Sequence, residues 1–561
     1  MNAPNAYRVP RAAAPCDLFL DGNEGLGLSD EETRAALATC APKLSRYPND
    51  TRLTESLATR WGLSSNQVLV TAGGDDALDR ICRVALREGG ELILPVPGFE
   101  MVRRYAQLAR GTVVEVEWDR AFPLETICGS VTTHTRVIVV TSPNNPTGST
   151  VTSQELIQLR QRCPTPLLIV DLAYAEFCDE DLTETALKLP NTLTIRTFSK
   201  AWGLAGIRVG YAMGPPDWIQ QIKAAGAPYA VSSLSLALAH WALAHRNAFM
   251  QNFVLTIREE RTRLGQLLEQ LGFTPRPSQG NFVFAEVPNP LWLRDALAGL
   301  GIAIRAFPNR PRLKNAIRIT CPGEEGAFKR LCNALQTVCE PQALLFDIDG
   351  VLCDVRASYR EAIQQTTEQF GVTVTEDDIQ RIKTNGNANN DWVVSQRLCA
   401  QANRSVSLPE IRDVFEQLLQ GTPSQPGLWT RERSLTEPEM LRALAKSRPI
   451  AAVTGRPRRD AERFLKRAGL RALFDVVVCM EDAPAKPSPA PVELALKQLG
   501  VQRAWMLGDT PDDMQAARAA RVLPIGITAP GESTQAIRAA LSAAGAARVF
   551  KTVQEFQEVV P

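Results

Sequence analysis

The chain has 561 residues, too many for one ordinary core, and 45% of them are hydrophobic, enough to fill several. Its 62 lysines and arginines balance 61 aspartates and glutamates, which leaves no basic footprint for nucleic acid or for an anionic membrane. The 12 cysteines include no Cys-x-x-Cys pair, and the only histidines are His134, His240 and His245, so a zinc ribbon or a polyhistidine metal site is not expected and a reduced, cytoplasmic protein is.

The opening "MNAPNAYRVPRAAAPCDLFL" lacks a charged start followed by a long apolar run, and no signal peptide is expected. From about 67 to 320, β-branched runs alternate with amphipathic stretches: "QVLVTAG", "ELILPVP", "RVIVVTSP", "PLLIVDLAY", "LTIRTFS" and "RVGYAMG" read as strands. That alternation predicts an α/β fold with a mainly parallel sheet covered by helices. "APYAVSSLSLALAHWALAH" (227–245) is apolar, but Pro228, its serines and its histidines make it a packed helix and not a membrane span. "FVFAEV", "GIAIRAF" and "NAIRIT" form a smaller α+β unit, and the helical "EGAFKRLCNALQTVCE" leads to Pro341. There the strand pattern restarts with "ALLFDIDG", so the domain boundary is expected at 340/341. A helical stretch from about 356 to 445 precedes further strands at "PIAAVTGR", "FDVVVCM" and "RAWMLGD". Helices inserted after the first strand of a parallel sheet predict a cap over the strand ends, where open α/β sheets bind ligands.

The first part concentrates polar residues at strand ends. "VTAGGDDAL" is a strand, then Gly73 and Gly74, then a helix start, a cradle of backbone N–H groups for an anion. "TSPNNPTG" places Asn145 after a strand, "LLIVDLAY" delivers Asp171 and then Tyr174, and "TIRTFSKAWGLAGIRVGY" brings Lys200 between serine and glycine turns. A ligand that needs all of these has a phosphate, a ring nitrogen that wants a carboxylate, a phenolic oxygen and an aldehyde for a lysine; pyridoxal 5'-phosphate has the four. Lys200 would bond the aldehyde and Asp171 would keep the ring nitrogen protonated. Asn145 and Tyr174 would hold the ring oxygen, and Phe99, after "PVPG", would stack on the ring. Gly73, Gly74, Thr197, Ser199 and Arg208 would hold the phosphate.

In wording and order these runs, with "RYP" at 46–48, resemble the fold-type I pyridoxal-phosphate aminotransferases, most of all the histidinol-phosphate aminotransferase family, over about 17–335. The resemblance implies a large parallel-sheet domain at about 45–245 and a small domain from the N-terminal segment and about 246–340. It also implies a homodimer in which Tyr47 reaches the neighbour's cofactor phosphate. Arg305 and Arg318 match the family's pair that grips the substrate's acidic end, a phosphate or the carboxylate of the amino donor glutamate. The chain departs from the family where "NEGLGL" (23–28) replaces "NENPYG", where Leu172 follows the ring aspartate, and at Ala230. These departures leave the cofactor chemistry in place and weaken the case for an imidazole-bearing substrate.

In the second part the strand "ALLF" runs into Asp347 and Asp349. Two acids at a strand end also suit a structural cation or a capped turn, but more follows in order: Thr454 after "AAV", Lys486 in the proline-pinned "AKPSP", and Asp509 and Asp513 in "GDTPDD". These elements resemble the motifs of the haloacid dehalogenase superfamily, and with the helical insert they look like a subfamily I phosphatase over about 341–561. The resemblance implies that Asp347 attacks phosphorus while Asp349 serves as acid and base. Thr454 and Lys486 would hold the phosphoryl oxygens. Asp347, the Asp349 backbone carbonyl, Asp509 and Asp513 would hold Mg²⁺. A second acid suits an alkoxide leaving group, which needs a proton. The cap run "IKTNGNANNDW" (382–392) offers Asn387, Asn389, Asn390, Asp391 and Trp392 as readers of the leaving group.

The expected whole is a bifunctional enzyme that transaminates a phosphorylated ketone with glutamate and then removes a phosphate, as in histidinol phosphate formation and hydrolysis. Three alternatives stand beside it: the same chemistries on another amino-alcohol or amino-acid phosphate, a non-catalytic second domain for interaction, and a decarboxylase in the first.

Overall fold

A computed structural model describes residues 9–38, 44–386, 388–531 and 535–560. The chain packs as two compact units, one mainly Leu20–Pro290 with Ile304–Lys329, the other Arg11–Phe19, Leu291–Ala303 and Arg330–Pro561.

The first unit is organised on a seven-stranded sheet in the order Val68–Thr71, Gly210–Met213, Thr192–Thr197, Leu167–Asp171, Thr135–Thr141, Glu91–Val96, Thr112–Glu117. Gly210–Met213 runs antiparallel to both neighbours and the other pairings are parallel. Central strands read as unbroken apolar runs because both faces are covered. Val137, Val139, Leu167 and Ile169 pack in one core, and Ile138, Val140, Leu168 and Val170, one residue out of phase, in the other. The edge strand Thr112–Glu117 is half exposed and polar at alternate positions, so it carries no such run. The helix predicted in 227–245 is Ser233–His245, and it starts late because Ser232 caps it through the Ser235 N–H.

The small antiparallel sheet sets Phe282–Glu286 beside Ala316–Thr320, whose other neighbour, Ile302–Ala306, pairs Arg305 with Arg318. In the second unit six parallel strands run in the order Val476–Val478, Ile450–Val453, Ala343–Phe346, Ala504–Gly508, Leu523–Ile527, Val549–Phe550. The first strand in sequence is central, so the connections leave it in opposite directions and open a crevice at its C-terminal end. The helices Glu361–Gln369, Glu376–Thr384, Asp391–Gln401 and Leu408–Gln420 form the insert, and its two connections to the sheet pair as Cys353–Asp354 with Arg433–Ser434.

Candidate active sites

In the first unit a cavity of 420 Å³ lies at the strand ends. The register Thr141↔Asp171, Asp171↔Ile195 and Thr197↔Gly210 brings the sequence-predicted groups to one edge. Gly74, Phe99, Asn145, Asp171, Tyr174, Thr197, Ser199, Lys200, Arg208, Arg305 and Arg318 all line the cavity. Burial pushes the Asp171 carboxyl up to about 7, and the Ala173 N–H donates to its Oδ1 at 3.2 Å. Burial, with the nearby Arg318 charge, pulls the Lys200 amine down to about 8; its Nζ donates to the Gly22 carbonyl at 3.1 Å. A buried carboxyl short of a cation and a lysine made easier to deprotonate are the states that a ring nitrogen and an aldehyde require.

The anion cradle is shaped by glycine. Gly73 has φ +86°, and a Cβ there would lie 2.7 Å from Arg208 Nη2; a Cβ on Gly210 would lie 2.7 Å from the Gly74 nitrogen. The helix Gly74–Ala85 begins at this point, so its free N–H groups, the Arg208 guanidinium and the Ser199 hydroxyl converge. Arg208 Nη2 meanwhile donates to Asp75 Oδ2 at 3.1 Å. The Tyr174 hydroxyl accepts from Asn145 Nδ2 at 3.3 Å and from Asn23 Nδ2 at 3.0 Å. Asn23 is itself held where its Oδ1 accepts from the Thr320 hydroxyl at 3.0 Å.

Arg305 and Arg318 are buried side by side on adjacent strands. Arg318 Nη1 donates to Asn145 Oδ1 at 2.6 Å and Nη2 to the Asp21 carbonyl at 2.7 Å. Among the described residues, Arg305 Nη1 is buried with no hydrogen-bond partner. Arg310, paired with Glu100, lines the same cavity. Tyr47 does not: it is 81% exposed and stacks on Tyr229 with ring centroids 4.6 Å apart.

In the second unit Asp347 follows the central strand and is 5% exposed. Lys486 Nζ lies 3.0 Å from Asp347 Oδ1, pairs with Asp513, and donates to the Val453 carbonyl at 3.1 Å. Burial pushes Asp347 up to about 7 against the pull of Lys486. Asp347, Asp509 and Asp513 offer carboxylate oxygens within 4.8 Å of one another, an all-oxygen set that fits Mg²⁺. Asp513 Oδ2 also accepts from the Thr510 N–H at 3.0 Å, so Asp513 braces Lys486 and the 510 turn from beneath. A Cβ on Gly350 would sit 2.0 Å from Asp509 Oδ2, which leaves room only for glycine. The Asp349 side chain stands outside the carboxylate cluster, where Arg456 Nε donates to its Oδ1 at 2.6 Å. Thr454 is buried at the end of Ile450–Val453, and its hydroxyl accepts from the Arg456 N–H at 3.2 Å. From the insert, Asn389 Nδ2 donates to the Lys486 carbonyl at 3.2 Å and to Asp512 Oδ2 at 2.9 Å. Asn390 caps the next helix, and Trp392 lies in its first turn. Asn387 lies outside the described residues.

The family model for aminotransferase class I and II matches residues 25–335. The chain belongs to this family. In this aminotransferase, residues 341–521 match the haloacid dehalogenase-like hydrolase family, so a hydrolase domain follows the aminotransferase domain. A histidinol-phosphate aminotransferase of Ruminiclostridium cellulolyticum is 30% identical over 335 residues, 58% of this chain and 93% of the relative. An imidazoleglycerol-phosphate dehydratase of Phytophthora nicotianae is 46% identical over 197 residues, but these are only 34% of this chain and 44% of that protein. The crystal structure of histidinol-phosphate aminotransferase from Sinorhizobium meliloti in complex with pyridoxal-5'-phosphate is similar with a TM-score of 0.53 and 26% identity, covering 57% of this chain and 90% of that one. Among the described residues, no helix is long and apolar enough to cross a membrane.

Four site residues escaped the sequence reading. Asn23, Arg310 and Arg456 act through partners far along the chain, and Asp512 holds the insert. Asn23 and Arg456 stood inside motif-bearing runs, "NEGLGL" and "VTGR", and that was the signal available.

Proposed function

We propose that the chain is a bifunctional enzyme. Its first site, with pyridoxal phosphate, moves the amino group of glutamate to a phosphorylated ketone, and its second, with Mg²⁺, hydrolyses a phosphomonoester, with histidinol phosphate the leading candidate. The observation that carries this reading is Arg305 Nη1. A buried guanidinium donor without a partner among the described residues, beside Arg318 and in the cavity of Lys200, is costly unless a substrate anion completes it.

When bound, pyridoxal phosphate supplies an electron-accepting ring. Asp171 would keep a proton at its nitrogen, Tyr174 with Asn23 and Asn145 would hold its phenolic oxygen, and Phe99 would cover the ring. Gly73, Gly74, Thr197, Ser199 and Arg208 would hold its phosphate. Lys200, shifted toward the neutral amine, accepts and returns the substrate proton. Arg305 and Arg318 orient the substrate's phosphate, or the distal carboxylate of glutamate. Exposed Tyr47 is available to a second copy of the chain, in keeping with a homodimer. The described cysteines are free thiols, in keeping with the cytoplasm.

In the second site Asp347, Asp509, Asp513 and the Asp349 carbonyl would hold Mg²⁺, which would lower the repulsion between carboxylate and phosphate. Asp347 attacks phosphorus, the bond to the leaving oxygen breaks, and Asp349 gives that oxygen its proton. Asp349 then takes a proton from water, which attacks the aspartyl phosphate, releases phosphate and restores the Asp347 carboxylate. Thr454 and Lys486 hold the phosphoryl oxygens.

A second reading keeps both chemistries and changes the substrate to another amino-alcohol or amino-acid phosphate. A Cβ on Gly25 would lie 1.9 Å from the Lys200 carbonyl, and one on Gly203 1.9 Å from that of Leu26. The altered opening run therefore packs its backbone against the lysine turn, where the family has a Pro-aromatic pair. Full-length enzyme loaded with both cofactors and given histidinol phosphate decides between the two. Glutamate formation with 2-oxoglutarate, and phosphate release, support the first reading; neither, with turnover of another amino-alcohol phosphate, supports the second. With glutamate alone, one 2-oxoglutarate released per cofactor marks an aminotransferase, and a decarboxylase releases none.

A further inference from the structure

The carboxylate of Asp349 does not stand alone in its crevice. Arg456 Nε donates to Asp349 Oδ1 at 2.6 Å, and Arg456 Nη1 lies 2.9 Å from Glu432 Oε1. The side chains of Arg456 and Glu432 are 1% and 2% exposed, while that of Asp349 is 24% exposed. The guanidinium is further enclosed by the Tyr359 ring at 4.6 Å and the Phe464 ring at 5.3 Å. Glu432 immediately precedes Arg433–Ser434, the strand by which the insert returns to the sheet, and Tyr359 lies just beyond the outgoing strand Cys353–Asp354. Asp349, Tyr359, Asn389, Trp392 and Arg456 also line one small cavity between insert and sheet.

Apolar residues of similar volume fill a core at least as well as a buried ion pair does. Stability alone therefore gives a weak account of Arg456, whereas its bond to the half-open Asp349 gives a specific one. A carboxylate held through Oδ1 has little freedom to rotate, and Asp349 lines the cavity between insert and sheet. The same arginine donates its backbone N–H to Thr454, so one residue orders the acid and the phosphoryl-binding hydroxyl together.

We propose that Arg456 is the positioning residue for Asp349, fixed in turn by Glu432 at the connection to the insert. The proposal rests on the phosphatase reading. Arg456 touches no reacting atom in it; it aims the acid that protonates the leaving oxygen. The signature is leaving-group dependence. An alkyl phosphate needs that proton, and p-nitrophenyl phosphate, whose phenolate leaves readily, does not.

The test uses full-length wild type, Arg456→Lys and Arg456→Met with Mg²⁺ and both esters. Loss of an oriented acid is expected to lower kcat on glycerol phosphate by roughly 10²-fold in Arg456→Met. On p-nitrophenyl phosphate the loss stays below about five-fold, and Arg456→Lys recovers part of the alkyl rate, because it restores a donor without the planar fork. Should Arg456→Met fail to fold, Arg456→Met combined with Glu432→Gln removes both buried charges and is read on the same two esters. Equal losses on both esters, or none on either, overturn the proposal. If wild type releases no phosphate from either ester, the phosphatase reading falls and takes the proposal with it, a result distinct from an active wild type with ester-independent variants.

Discussion

Replacing Arg305 by methionine separates substrate recognition from stability. Arg305 is 7% exposed and its Nη1 has no partner among the described residues, so methionine removes an unsatisfied buried donor and keeps much of the packing volume. The fold should lose little, because no protein acceptor is stranded at that nitrogen. Substrate binding should lose a charge-assisted contact of about 1.5–3 kcal/mol, a fall of roughly 10- to 150-fold in kcat/KM. Arg318 makes the contrast. Its Nη1 and Nη2 bond Asn145 Oδ1 and the Asp21 carbonyl, so Arg318→Met also strands two acceptors and loosens the amide beside the Tyr174 hydroxyl. The measurements are kcat/KM for the phosphorylated ketone and for glutamate, and a denaturant midpoint for each variant. Arg305→Met should depress both kcat/KM values at a near-constant midpoint, and Arg318→Met should depress activity and midpoint together. An Arg305 variant that keeps full kcat/KM for both substrates, or that loses stability as Arg318→Met does, refutes this account of the cavity.

Asp347→Asn removes the nucleophile and should abolish phosphate release while the aminotransferase rate of the same preparation stays at the wild-type value; unchanged phosphatase activity would make the second domain an interaction module. Glu260, buried, with the Gly323 N–H donating to its Oε2 at 2.8 Å, is pushed by burial from an ordinary 4.5 up to about 7. A raised carboxyl favours the protonated form in the fold, so stability falls as pH climbs from about 4.5 through about 7. Glu260→Gln should therefore stabilise by about 2 kcal/mol at pH 8, allowing for partial solvent screening, and by almost nothing at pH 4.5, as read from denaturant midpoints at the two pH values.

The parts of both sites that sequence made visible share one physical origin. A strand buried on both faces must be apolar until it emerges, and the first polar side chain after it faces a ligand. Asp171 after "LLIV", Asp347 after "ALLF" and Thr454 after "AAV" stand out for that reason. Gly73 is marked by its motif, whereas Gly350 is only the last letter of "ALLFDIDG"; the structure adds the atoms that exclude a Cβ, Arg208 Nη2 and Asp509 Oδ2. What stayed hidden depends on partners with no local signature. Asn23 meets Tyr174 across 151 positions and Arg456 meets Asp349 across 107. Arg310 gives no apolar contrast to detect, since it lies in a polar turn paired with Glu100. The strand Thr112–Glu117 was missed because an edge, wet on one side, does not build the continuous run that marks its neighbours.

The two sites treat a phosphate in opposite ways, and on the proposed reading that sets the order of their use. In the first, Arg305 and Arg318 come from a strand pair remote in sequence from Asp171 and Lys200, so the phosphate is a handle held away from the bond that changes. In the second, Asp347, Asp349, Asp509 and Asp513 outnumber Lys486 and Arg456, so a phosphate enters only with a divalent cation to offset the acids, and it is the group attacked. A ketone stripped of its phosphate would leave Arg305 Nη1 buried and unpaired during transamination. At about 1.5–3 kcal/mol for each charge-assisted contact, losing two would slow amination by roughly 10²- to 10⁴-fold. On the proposed reading amination comes before hydrolysis, and the second site would gain by acting on the aminated ester and sparing the ketone. The polar wall at Asn389, Asn390 and Asp391 is where such a discrimination between amine and carbonyl would be made.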